Sequence, residues 1–118
     1  MEELGLSVET AFLAFYESRR KRRQQVKTGA INDAKQLAGL LRKHFEFESL
    51  YLYGSILSDT FWPGSDLDLV IKGMRIEDFF KAYALLLKES KFPVDLKPFE
   101  DLTDEFKAGI QERGLWIG

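Results

Sequence analysis

Leu50-Tyr51-Leu52-Tyr53-Gly54-Ser55, then ten residues, then Asp66-Leu67-Asp68-Leu69-Val70-Ile71: this stretch decides the fold of the chain. Side chains alternate along a strand, so Asp66 and Asp68 share one face while Leu67 and Leu69 point to the other, where they can bury. Two neighbouring carboxylates raise each other's pKa unless a cation sits between them, and a divalent ion lets both stay ionised. The pair therefore points to a metal site on an open strand face. The upstream run Leu50 to Tyr53 is a second short strand, and it stops at Gly54, a residue that permits close backbone approach to a ligand. If Ser55 then begins a helix, free N–H groups face whatever the carboxylates hold, an arrangement suited to phosphate.

Working outward, Phe92-Pro93-Val94-Asp95-Leu96 places a third carboxylate, Asp95, between aliphatic residues that want burial. A Gly-Ser turn, a spaced acid pair or a lone strand Asp is each common by itself, as a turn, a solvated face or an ion-pair partner. Their combination on three strands is far more specific. Gly73 closes the Asp66–Ile71 strand, and residues 76–88 read as a helix crossing to the Asp95 strand. Residues 30–43 carry apolar side chains at helical spacing, with Gly29 as a break before them. Residues 8–26 form an amphipathic N-terminal helix capped by Ser7 or Thr10; its apolar set is Val8, Ala11, Phe12, Phe15 and Tyr16, expected to pack within the domain. The expected fold is α/β (α+β), a mixed sheet of about four strands backed by helices. An N-terminal extension covers residues 1–28 and the main domain residues 29–118.

Composition sets the outer bounds. At 118 residues with 45% hydrophobic and 31% charged, the chain is one globular domain, able to bury about two thirds of its unfolded surface. It has no cysteine, which excludes disulfides and thiolate metal sites, and its one histidine, His44, cannot build a zinc site. No run approaches the roughly 20 apolar residues of a membrane span, and Met1-Glu2-Glu3-Leu4-Gly5 is acidic, so a soluble, cytoplasmic protein is expected. The formal charge of −2 is uneven, with basic residues concentrated at Arg19-Arg20-Lys21-Arg22-Arg23. Nucleic-acid binding there is possible, but a solvated helix end is the commoner origin of such a cluster. Trp62-Pro63-Gly64 reads as a turn whose ring packs locally or stacks on a base.

Gly54-Ser55, Asp66-x-Asp68 and the later strand Asp95 resemble the signature of the minimal nucleotidyltransferases of the DNA polymerase β-like superfamily, over about residues 31–118. The terminal stretch Phe106 to Ile117 is similar to the helix and short strand that close members of that family. The resemblance implies transfer of AMP from ATP to an acceptor hydroxyl. Gly54 and Ser55 would hold the triphosphate, Asp66 and Asp68 would ligate two Mg2+ ions, and Asp95 would complete the second site and help to deprotonate the acceptor. It further implies a partner, most specifically a HEPN-domain toxin modified on a tyrosine, because the chain has no room for an acceptor-binding domain. Alternatives are an aminoglycoside-like small-molecule transferase and a catalytically silent nucleotide-binding or scaffold subunit; under any of these readings a homo-oligomer is compatible with the sequence. One departure matters. Many relatives carry an Arg soon after Gly-Ser, whereas residues 56–65 hold no basic residue, so Lys97 or Lys72 would have to supply the charge and ATP binding should be weak.

Overall fold

The computed structural model describes residues 7–58, 60–62 and 64–118. Residues 1–6 of the acidic start, and Pro63 of the expected turn, lie outside these.

A single helix, α1 (Val8–His44), opens the chain. Ser7 caps it, its Oγ accepting the Thr10 N–H at 3.1 Å, and Arg42, Lys43 and His44 stand in its last turn, where cations suit the helix dipole. The expected break at Gly29 does not occur. A glycine costs a helix only about 1 kcal/mol against alanine, and neither a proline nor a new cap replaces the helical hydrogen bonds there. Only the C-terminal half of α1 buries a face, through Ala30, Ala34, Leu37, Ala38 and Leu41, whose small residues allow close packing on the sheet.

The sheet has the order β3-β2-β1-β4: β1 (Ser49–Tyr53), β2 (Leu67–Lys72), β3 (Val94–Pro98) and β4 (Leu115–Trp116). β1 runs antiparallel to β2 and β4, and β2 parallel to β3. The parallel pair requires a crossover, which α2 (Ile76–Glu89) provides. α3 (Asp104–Arg113), capped by Thr103, leads into β4. The mixed four-stranded sheet expected from the sequence is present, with the strands at the expected runs.

The two faces of the sheet differ. On one, Leu50, Leu52, Leu67, Leu69, Ile71 and Leu96 are buried beneath α1 and α2. On the other, Val70, Phe99 and Ile110 form a small second cluster with Tyr51, Tyr53 and Leu102, covered by α3 over part of its length only. By alternation Asp68, Asp95 and Lys97 belong to this second face, at the end α3 leaves open.

Strands of five or six residues span only about 17–20 Å, whereas a 37-residue helix is about 55 Å long, so α1 must overhang the sheet. The molecule accordingly extends 67 Å along its longest axis. The expected packing of the apolar set within the domain is thereby corrected: Val8, Phe12, Phe15 and Tyr16 all lie on the overhanging arm and are exposed. The arm's base is held by the Arg23 guanidinium over the Trp62 ring, 4.8 Å from its centroid, and by Lys27 donating to the Ser58 carbonyl at 3.3 Å.

Candidate active site

Register builds the site. Tyr53 on β1 is the pairing partner of Asp68 on β2, and Asp68 is the partner of Asp95 on β3, so the three side chains form a row across the sheet. Leu67 and Leu69 anchor β2 from beneath with no exposure, which fixes the direction in which Asp68 points. The turn after β1 is a 3-10 helix of four residues, Gly54–Leu57. Gly54 sits at φ +80°, and a Cβ placed on it would collide with the Asp68 carboxylate. Glycine is therefore required twice over, for its backbone conformation and for the approach of the turn to Asp68. Ser55 lies within this turn, and its carbonyl accepts from the Ser58 amide and hydroxyl, both at 3.0 Å.

Lys97 lies across the row. Its ammonium donates to Asp95 Oδ2 at 2.5 Å and to the Tyr53 hydroxyl at 2.9 Å, spanning from β3 over β2 to β1. Those two bonds, to Asp95 first, hold the Lys97 pKa above the ordinary ammonium range despite partial burial. Burial raises the Asp68 carboxyl, with Asp95 and then Asp66 adding to the rise and Lys97 opposing it. Tyr53 is raised as well, chiefly by burial. Asp68 is thus a carboxylate short of positive charge.

Asp66 stands one residue before β2 and is exposed, near enough to act on the charge of Asp68. Among the described residues no group of three or more acidic, histidine or cysteine side chains is close enough to hold a metal ion. The row itself fits a hard cation: two carboxylates in register, one of them undercompensated, beside a turn that leaves no side chain in the way. Lys97 is the ammonium that stands in the row, whereas Lys72 lies four residues along β2 from Asp68, paired with Glu48 at 3.7 Å and over the Phe99 ring. His44 ends α1, beside Phe45.

Sequence reasoning overlooked the wall of the site. A cavity of about 640 Å3 opens between the Gly54 turn and α3, lined in part by Tyr53, Leu57, Thr103, Phe106 and Arg113. Its volume is that of a small-molecule pocket. Tyr53 and Gly54 belong both to it and to the acidic row, and the Tyr53 ring meets Phe106 edge-on at 5.4 Å. The alternation of Tyr51 and Tyr53 was visible in the sequence, but the face they share with Asp68 depends on the β1–β2 register, which was not.

Residues 35–117 match the family model described as polymerase beta, nucleotidyltransferase. The chain belongs to this family. The match spans the strands, the Gly54 turn and all three aspartates, and the fold is the nucleotidyltransferase fold. A crystal structure of a toxin-antitoxin with AMP-PNP is similar in fold, with a TM-score of 0.61 and 20% identity, over 74% of this chain and 73% of the other. No curated protein matches the chain. The family assignment makes the domain a nucleotidyltransferase, and no helix among the described residues is long and apolar enough to cross a membrane.

Proposed function

We propose that this nucleotidyltransferase transfers AMP from ATP, with magnesium, to the hydroxyl of a protein partner, specifically a tyrosine of a HEPN-type toxin that the chain restrains as an antitoxin. The observation that carries the chemistry is the Asp68–Asp95 register beside Gly54. Support for the biological setting is the likeness in fold to a toxin-antitoxin that was crystallised with AMP-PNP.

Asp68 and Asp95 would hold Mg2+, with Asp66 reaching in from the loop before β2. Bound there, two such ions would neutralise the phosphates and lower the pKa of the attacking hydroxyl. The Gly54–Ser55 turn would seat the triphosphate, and Lys97 would shift from Asp95 toward a phosphate oxygen. The acceptor oxygen forms a bond to the α-phosphorus as the bond to pyrophosphate breaks, and Asp95 receives the hydroxyl proton. The cavity beside Tyr53 has room for the nucleoside or for the acceptor ring. Residues 29–118 would suffice for this chemistry, with residues 1–28 as an extension.

A silent scaffold is the second possibility, favoured by one observation: Lys97 already neutralises Asp95. Incubating the co-purified complex with magnesium and ATP labelled at the α-phosphate separates the two. Label on a tyrosine of the partner, located by peptide mass spectrometry, is expected. Nucleotide binding without any transferred label would leave the scaffold.

A further inference from the structure

Two apolar stripes lack a partner among the described residues. The first is on the α1 arm, where Val8, Phe12, Phe15 and Tyr16 are 53–68% exposed and follow one another at helical spacing. The second is on α2, whose outer side presents Ile76 and Phe80 at 72% and Leu87 at 60%, with Ala84 between them. The first stripe runs along nine residues of helix, Val8 to Tyr16, and the second along twelve, Ile76 to Leu87. Apolar rows of this length on two helices of one small chain exceed the scattered exposure normal for a soluble surface.

We infer that two copies of the chain pair reciprocally, the arm of each α1 lying antiparallel along α2 of the other. The charges fix the direction. Laid antiparallel, Val8 falls beside Leu87, Phe12 beside Ala84, Tyr16 beside Phe80 and the Arg19 stem beside Ile76. Glu9 and Arg20 border the arm's stripe on the same side that Glu77 and Lys88 border that of α2. Antiparallel helices bring borders of the same hand together, so this one register sets Glu9 against Lys88 and Arg20 against Glu77. A parallel arrangement turns the arm's charged border toward the Tyr83 edge of α2, so that none of the four charges meets an opposite charge across the contact and Glu77 keeps only its exposed pair with Arg75 of its own chain, at 3.4 Å.

Twofold symmetry makes the contact twice. If each of the seven large apolar side chains in one contact loses ~100 Å2, the two contacts bury on the order of 1,400 Å2, within the range of stable dimers. An arm-to-arm pairing would cover the first stripe and leave the second bare. Reciprocal pairing covers both. The inference does not depend on the nucleotide chemistry, because neither stripe includes a residue of the acidic row.

Sedimentation velocity on the full chain, without nucleotide, tests it. A dimer at tens of micromolar is expected, and Phe12→Asp or Phe80→Asp should each give a folded monomer, since both side chains are exposed. Mixing these two variants should restore association, because one of the two contacts then has both stripes intact. Glu9→Lys or Lys88→Glu alone should weaken the dimer about 3- to 10-fold, and the two combined should recover it. A wild-type monomer at 100 µM overturns the proposal, as does a dimer indifferent to Phe80→Asp, which would mean arm-to-arm pairing, or charge reversals that add instead of compensating.

Discussion

Gly54→Ala and Gly73→Ala apply one backbone perturbation at two places. Gly54 has φ +80° and Gly73 φ +78°, a region that costs an L-residue roughly 1–2 kcal/mol. Each new methyl also meets a neighbour: the Asp68 carboxylate for Gly54, the Glu48 backbone and Cβ for Gly73. Both variants should therefore lose about 1–3 kcal/mol. At about 4 °C per kcal/mol for a domain of this size, Tm falls by roughly 4–12 °C in each. Function should separate them. Relief of the clash in Gly54→Ala displaces Asp68, and a misplacement of ~1 Å in a catalytic group is worth about a hundredfold in rate. Gly73 lies beyond the far end of β2, so transfer per folded molecule should stay within about twofold of wild type. Melts of both variants, alongside transfer of α-labelled AMP to the co-purified acceptor and calorimetry of magnesium–ATP binding, make the comparison. Equal losses of activity in the two, or full activity in Gly54→Ala, would refute the role given to the turn.

Asp68→Asn should leave the metal-free protein as stable as wild type or slightly more so at pH 7. Its folded pKa is raised above 3.8, so the folded state binds the extra proton, and wild-type stability declines as pH climbs from 3.8 through the raised value; a pH series of melts should show that decline reduced in the variant. Lys97→Met should destabilise the chain at pH 7 by about 0.5–1 kcal/mol, a modest figure because the Asp95 pair is partly exposed, and should weaken magnesium–ATP binding. The Lys97 contribution is fully present below pH 10.5 and is lost above it, so wild type and variant should converge in melts at strongly alkaline pH. Trp62→Ala removes the ring beneath Arg23, costs about 0.5–1 kcal/mol, and should speed amide exchange in residues 19–27 without affecting the sheet.

β1 and β2 were legible because two signals agreed at each: alternation inside Leu50–Tyr53 and Asp66–Ile71, and a glycine soon after the run stops. α2 was legible through its period. Gly29 misled because a glycine marks a boundary only if something replaces the helical hydrogen bonds, and Thr28-Gly29 offers no such replacement. Packing of the Phe12 stripe could not be read locally, since it depends on how far a 37-residue helix outruns strands of five or six. Asp68 and Asp95 were recognisable as site residues, but their pairing depends on the β2–β3 register. The same is true of Lys97, whose strand-face position was evident and whose bond to Tyr53 was not. Burial of Asp33 on α1, where it accepts from Ser90 and Lys91 at 3.4 Å, also follows from the loop that the α2 crossover brings beside it.

The measurement closest to the core of the assignment is transfer of label from ATP by wild type and by Asp68→Asn and Asp95→Asn, run in parallel with the label on the α- or the γ-phosphate. A centre built on these two carboxylates moves the α-label to the acceptor, releases the γ-label as pyrophosphate, and loses on the order of a thousandfold or more in rate in either variant, with the fold intact by melting. Transfer of the γ-label, or wild-type transfer of the α-label by Asp95→Asn, would contradict it.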